Sequence, residues 1–427
     1  MTLDVMQTIG EHESVVRSYI RTFPKPFDKA QGVRVYDTDG YAYLDFFAGA
    51  SVLNYGHNHP ELKRPLIDYL QGDRIVHSLD MASVARAEFL EAFHRLILEP
   101  RGLHYRVQFP GPTGTNAVEA ALKIVRKVTG RHKVLSFTNA FHGMTVGSLA
   151  VTGNAFKRKG AGFPLTYSES MPYCGYFGPG VDTVEYLDRL LDDKGSGIDQ
   201  PAAMIVETVQ GEGGMAACSM DWLKGVEAVC RRHDMLLILD DIQTGNGRTG
   251  PFFSFEEAGI SPDIVTLSKS ISGFGLPMAL TLVKPEHDIW EPGEHNGTFR
   301  GHNLAFVTAK RALELYWSDD TLQRETERKA RRIYEALQGL IDKYPAAGGE
   351  HRGRGMMRGI RFTADKDLAS AVSEMAFEHG MIIETSGPDD DVLKLLPPLI
   401  IDDADLETGL AIIDRALGEA MQKRGLA

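Results

Sequence analysis

Two apolar runs in this chain end in side chains of opposite acid–base character. Met235-Leu236-Leu237-Ile238-Leu239 leads into Asp240-Asp241-Ile242-Gln243-Thr244-Gly245, and Asp263-Ile264-Val265-Thr266-Leu267-Ser268 delivers Lys269 into a Ser/Gly-rich turn. A lysine placed among apolar neighbours lowers its pKa to escape the cost of a buried charge. A lowered pKa is what an imine-forming nucleophile needs. A carboxylate at the neighbouring strand end can keep a pyridine nitrogen protonated and its ring electron-poor. An amine for an aldehyde and an acid for a ring nitrogen are together what pyridoxal 5'-phosphate requires. Strand alternation sends Asp240 and Asp241 to opposite faces, and Asp240 is the favoured partner of the ring.

Other segments add to this pair. Gly114-Thr115 opens a helix starting near Asn116, and free N–H groups at a helix start bind phosphate. No Gly-Lys-Ser/Thr follows, so this is not a nucleotide P-loop. Gly245-Asn246-Gly247 lacks the strand–helix setting of a dinucleotide fingerprint. Phe141-His142-Gly143 follows a strand, where an aromatic ring either packs in the core or stacks on a cofactor. Ile242 is placed to pack on a ring face and Gln243 to reach a ring hydroxyl. No metal site is expected. Asp37 and Asp39 belong to a turn rather than a calcium loop, and His57-Asn58-His59 has no further ligands at zinc spacing.

The elements that must position these residues alternate. Strands are predicted at 106–109, 133–137, 202–206, 236–239, 264–267 and 279–283, with helices at 81–98, 117–128 and 222–232. Such alternation predicts an α/β fold whose mostly parallel sheet is covered on both faces. Val33 to Asp45 reads as a hairpin turning at Asp39-Gly40. Beyond Ala305 one long helix is predicted to about Lys343. Gly348 to Gly355 reads as a glycine- and arginine-rich loop, followed by strands at 357–362 and 392–396 and a last helix from Asp405. No internal repeat or low-complexity linker separates the lobes.

The 427 residues are enough for a large core, and 43% hydrophobic with 24% charged residues is ordinary for a globular protein. A formal net charge of −12 argues against nucleic-acid binding, which needs clustered Lys and Arg. No stretch is long and apolar enough for a membrane span, and the acidic segment Met1 to Ser18 does not read as a signal peptide. Three cysteines with no CxxC pair fit a reducing, cytoplasmic location.

Taken in order, Gly114-Thr115, Phe141-His142-Gly143, Glu207 to Gly214, Asp240 to Gly250, Lys269 and Gly297-Thr298 resemble the class III aminotransferases, over residues 32–401. The resemblance implies a fold type I pyridoxal phosphate-dependent transferase. It implies a large domain at 66–320, and a smaller α+β domain built from both termini, 1–65 and 321–427. Lys269 is then the imine-forming lysine and proton shuttle, and Asp240 pairs with the ring nitrogen. Gly114, Thr115, Phe141, His142, Glu207, Ile242 and Gln243 surround the cofactor. Thr298 reaches the phosphate held by a neighbouring subunit, so the active unit is at least a homodimer.

Segments 111–116, 268–276 and 293–305 are most similar to family members serving ectoine biosynthesis. That implies amino transfer from L-glutamate to L-aspartate 4-semialdehyde. Ornithine, acetylornithine or 4-aminobutyrate as donor, or an aminomutase or decarboxylase reaction, are the alternatives on the same scaffold. Two residues depart from relatives acting on ω-amines: Met144 and Lys394 stand where those carry arginine. Lysine is a point charge and cannot form a two-pronged carboxylate clamp. Lys394, Arg300 and a switching Glu212 are therefore the residues expected to handle substrate carboxylates.

Overall fold

The computed structural model describes residues 3–426; Met1, Thr2 and Ala427 lie outside the described residues. Its centre is a seven-stranded sheet in the order Arg106–Gln108, Leu280–Val283, Ile264–Leu267, Leu236–Asp240, Ala203–Val206, Val134–Phe137, Ser168–Met171. Leu280–Val283 pairs antiparallel with both neighbours and every other pairing is parallel. The parallel sheet expected from the sequence therefore carries one reversed strand.

Both faces of this sheet are buried, and successive residues alternate between two cores. Leu237, Leu239, Met204 and Val265 enter one apolar cluster, whereas Ile238, Ile205, Ile264 and Val134 enter the other. Period-2 side-chain alternation requires this. The second cluster is closed by the helix Gly114–Thr129, whose Ala117, Val118, Ala121, Leu122, Ile124 and Val125 are buried. The first contains Phe89, Phe93, Phe252 and Phe306, from the segments that wrap the opposite face. Each Leu, Ile or Phe fully withdrawn from water contributes about 1.5–3 kcal/mol.

The two ends of the chain meet in smaller sheets. Phe27–Gln31, Arg34–Asp37 and Ala42–Asp45 form an antiparallel meander, and Met381–Ile382 adds to it in parallel beside Ala42–Asp45. The expected hairpin is present: Asp37 Oδ1 accepts from the N–H groups of Asp39 and Tyr41, and Gly40 takes φ +84°. A second antiparallel sheet runs Gly349–Arg354, Met357–Phe362, Val392–Leu395, Glu384–Ser386.

Three expectations are corrected. The glycine- and arginine-rich segment 348–355 is a strand, paired residue by residue with Met357–Phe362. The long helix after Ala305 is two, Asn303–Tyr316 and Thr321–Lys343. Helical periodicity runs through the break, but the Trp317 indole N–H donates to the Tyr55 hydroxyl at 2.9 Å and Asp319 accepts from the Thr321 N–H at 2.9 Å. The helix expected from Met81 begins at Val84, where Ser83 Oγ accepts from the Arg86 N–H, and its last turn widens into a π-helix at His94–Leu98.

Arg248 ties these parts together. It is fully buried and donates to the carbonyls of Pro397 (2.6 Å) and Met356 (3.3 Å) and to Asn54 Oδ1. Asn54 in turn donates to the Asn246 carbonyl and to Ser270 Oγ, beside Lys269. Burial pushes the guanidinium down to about 9. Arg248→Ala leaves three acceptors without a donor and opens a cavity, so we expect a loss of about 3–5 kcal/mol, read from the urea midpoint at constant m-value. Arg248→Lys recovers only part of it, since an ammonium cannot span all three acceptors.

Candidate active site

Ligands in open α/β sheets sit beyond the carboxyl ends of the strands. Asp240 is the last residue of its strand, Glu207 directly follows Ala203–Val206, Lys269 lies two residues past Ile264–Leu267, and Phe141–Gly143 follow Val134–Phe137. The first turn of the helix Gly114–Thr129 enters the same space. Together they line a cavity of about 280 Å³, with Glu212, Ile242 and Gln243 completing its wall.

Asp240 continues the even-numbered side of its strand, with Ile238, and faces the helix start. Thr266, its register partner, donates through Oγ1 at 3.1 Å, and the Ile242 N–H donates at 3.3 Å. Its other oxygen pairs with His142 Nδ1 at 2.7 Å. Burial alone drives His142 toward its neutral form; the hydrogen bond and charge of Asp240 outweigh it, and its pKa lies above the ordinary value. Asp241 points the other way, to Thr244 and the Ser254 N–H, and burial raises it to about 6. Glu207 accepts from the Phe141 N–H at 2.9 Å, and burial raises it to about 7.

Lys269 takes φ +54°, a left-handed conformation costly for a side chain of this kind. Its amine donates at 2.9 Å to the carbonyl of Ala50, which Gln243 Nε2 also approaches at 3.3 Å. Burial lowers the amine to about 8. Ala50 belongs to a run of left-handed residues, Ala48, Gly49, Ala50 and Ser51. Only one of the four is glycine, so residue types do not signal this turn.

At the helix start, Thr115 Oγ1 is within 2.6 Å of Thr145 Oγ1 and donates to Ser148 Oγ at 3.0 Å. A Cβ added at Gly143 would stand 2.4 Å from Thr115 Oγ1, so the backbone approaches this corner as only glycine permits. Small residues, hydroxyls and helix N–H groups make a phosphate-sized corner. Asp240 and His142 stand for a ring nitrogen, Lys269 for an aldehyde, and Ile242 with Phe141 for apolar cover. The residues present fit pyridoxal phosphate.

Not every residue singled out from the sequence comes together here. Thr298 is exposed, and its carbonyl meets His77 Nε2 at 2.9 Å, outside the cavity. Arg300 lines a separate, larger cleft of about 380 Å³ with Asp80, Arg106 and Trp290. It lies 3.9 Å from Asp80 and donates to the His295 carbonyl and Asn296 Oδ1. Within one chain, Arg300 thus lies outside the cavity of Lys269. Lys394 and Glu212 do meet, at 2.8 Å, and Glu384, which sequence reasoning missed, lies 3.0 Å from the same ammonium. The available signal was an acid closing the apolar run Met381-Ile382-Ile383. Lys394 is completely buried; despite that, Glu212 and Glu384 hold it protonated, while Lys394 holds Glu212 down.

The profile of the family described as Aminotransferase class-III matches residues 17–417. A protein of Virgibacillus pantothenticus named diaminobutyrate–2-oxoglutarate transaminase is 56% identical over 418 residues, covering 98% of this chain and all of that one. A protein of the same name from Streptomyces avermitilis is 58% identical over 418 residues, 98% of either chain. Among solved structures, the ornithine aminotransferase of Toxoplasma gondii superposes with a TM-score of 0.85 at 27% identity, over 99% of this chain and 97% of that one. A Bacillus anthracis aminotransferase gives 0.86 at 25% identity, over 97% and 98%. With its lysine, its acid and its helix start gathered at the carboxyl edge of one sheet, and with relatives of this kind along its whole length, the chain belongs to the class III aminotransferases.

Proposed function

We propose that this pyridoxal phosphate-dependent aminotransferase moves the amino group of L-glutamate to C4 of L-aspartate 4-semialdehyde, giving 2-oxoglutarate and L-2,4-diaminobutyrate. The observation that carries the chemistry is the shared cavity of Lys269 and Asp240. The substrate pair rests on the relatives of 56–58% identity that bear that activity in their names.

When bound, the cofactor supplies an electron-accepting ring that stabilises negative charge on the carbon bearing the amino group. Asp240, backed by His142, would keep the ring nitrogen protonated, and Gln243 would bind the ring hydroxyl. Gly114 and Thr115 hold the phosphate. Ile242 and Phe141 cover the two faces and exclude water, and Glu207 fixes the Phe141 backbone. Lys269 would hold the cofactor, and its amine, lining the cavity, would take the proton from the amine-bearing carbon of the substrate. An amine near pH 8 does this well in neutral solution.

Glutamate brings a carboxylate next to its reacting amine, and the 4-amine end of diaminobutyrate brings none. Lys394 receives that carboxylate once Glu212 turns aside, and Glu212 closes on Lys394 again for the amine end. Met144, exposed beside Gly143, adds no charge of its own. Thr298 and Arg300, both outside their own cavity, serve the cavity of a second copy in a homodimer. Residues 66–320 act as the large domain, with 1–65 and 321–427 as the small one. Among the described residues no helix is long and apolar enough to cross a membrane, and three free cysteines fit action in the cytoplasm.

Purified enzyme with L-glutamate and a panel of aldehydes will release 2-oxoglutarate fastest, by kcat/KM, with L-aspartate 4-semialdehyde. A preference for succinic semialdehyde or glutamate 5-semialdehyde would overturn the substrate assignment. Lys269→Ala will lower turnover by at least about 1000-fold. Lys269→Met also has a stability signature. The folded-state pKa, about 8, lies below the ordinary lysine value of 10.5, so the unfolded chain binds this proton more tightly. The resulting penalty is full below pH 8 and vanishes above pH 10.5. Lys269→Met therefore stabilises the cofactor-free chain by roughly 1–3 kcal/mol at neutral pH, and the gain disappears toward alkaline pH. Chemical denaturation across pH measures both.

A further inference from the structure

Lys394 has one ammonium and two carboxylates. Glu212 approaches from the cavity side, where it also accepts from Gln243 Nε2 at 3.3 Å. Glu384 approaches along the sheet: it is the register partner of Lys394 on the adjacent antiparallel strand. The two carboxylates are not equivalent. Glu212 lines the cavity beside Lys269, whereas Glu384 sits behind, only 5% exposed. Glu384 Oε1 lies 3.0 Å from the ammonium but makes no hydrogen bond among the described residues, and Oε2 accepts only from the Tyr19 hydroxyl, at 3.4 Å. A closed Lys394–Glu212 pair is already neutral. A second buried acid against it is a standing electrostatic cost, and burial pushes that acid's pKa up.

The cost makes sense if the first pair opens. When Glu212 leaves, a buried ammonium without a counter-ion discards its proton and with it any grip on a carboxylate. We propose that Glu384 is the positioning residue that keeps Lys394 charged and fixed on the sheet while Glu212 is exchanged for a substrate carboxylate. The inference rests on the proposed function in one respect, that a donor carboxylate reaches Lys394. Two acids and one base are present before the exchange, and two acids and one base after it. The charge around Lys394 is therefore the same at either end of the step.

The other charged groups facing this cluster do not substitute for Glu384. Lys269 and, beyond Glu212, Lys157 are cations and act on Glu212. Asp390 is acted on by Lys157 and Glu212 rather than by Lys394. The Tyr19 hydroxyl holds its proton, since burial raises its pKa. Among the described residues Glu384 alone backs the ammonium from the sheet.

The test is Glu384→Gln in the holoenzyme, with each half-reaction followed separately through the absorbance of the bound cofactor from pH 6 to pH 10. For L-glutamate we expect KM to rise about tenfold or more, with a new alkaline limb as Lys394 loses its proton. For L-2,4-diaminobutyrate, whose reacting end carries no carboxylate, we expect a change of less than about threefold. Glu384→Asp restores most of the glutamate KM and removes the limb, and serves as the test variant should the glutamine form fold poorly. Equal effects on both half-reactions, or a glutamate KM that rises without any alkaline limb, overturn the proposal. If the wild type refuses diaminobutyrate yet takes another ω-amine, the substrate reading falls instead, while the glutamate dependence on Glu384 still stands to be read.

Discussion

An ion removed from water must find its opposite or give up its charge, and this constraint organises the site. Asp240 keeps a buried carboxylate by collecting a threonine hydroxyl, a backbone N–H and the imidazole of His142. Lys394 keeps a buried ammonium by holding two carboxylates. Lys269 has no such partner among the described residues: its amine donates to a carbonyl, and burial moves it toward neutrality. The same rule thus produces a fixed anion, a fixed cation and a nucleophile in one cavity. The difference lies in what each strand end places opposite the charge.

The strand ends were legible because a parallel strand buried on both faces is a short apolar run, and its first polar residue marks the carboxyl edge. Asp240, Glu207 and Lys269 all sit at such a transition. Alternation separates Asp240 from Asp241, and the two cores show the same parity: Ile238 packs on the helix side and Leu237 and Leu239 on the other. Elements specified by tertiary pairing were not legible. Gly349–Arg354 looks like a loop by composition and is a strand because Met357–Phe362 offers it six partners. The break at Trp317 is set by a hydroxyl on Tyr55, far away in sequence. Leu280–Val283 has the composition of its parallel neighbours, and its reversal shows only in its pairing.

Charge roles were harder to read than positions. Arg300 follows a motif residue closely, but its guanidinium is claimed by Asn296, the His295 carbonyl and Asp80 on the wall of another cleft. Glu384 went unnoticed because a single acid in an apolar stretch carries no motif. Its significance appears only when the register sets it against Lys394. A lysine in place of an arginine then becomes intelligible. A point charge with rotatable donors lets one carboxylate replace another without imposing the fixed approach directions of a planar fork. A residue that must exchange one acid for another while a second stays in place is better served by an ammonium.

Such an exchange needs a scaffold that does not yield, and the backbone supplies one at a cost. Lys269 and the run Ala48–Ser51 occupy left-handed conformations, each non-glycine member costing on the order of 1–2 kcal/mol. Strain of this kind persists only where surrounding contacts determine it. Here Asn54, three residues beyond the turn, donates to Ser270 Oγ, one residue beyond the lysine, and Arg248 clamps Asn54 to the carbonyl of Pro397 on the C-terminal side of Lys394. One buried guanidinium thereby links the turn that offers its carbonyl to Lys269, the lysine itself, and the strand that carries Lys394. The three segments come from the beginning, middle and end of the chain, and none contains enough local information to hold its own geometry. The site is rigid because the termini are folded onto the central sheet, and both termini are drawn in because the site needs residues from each.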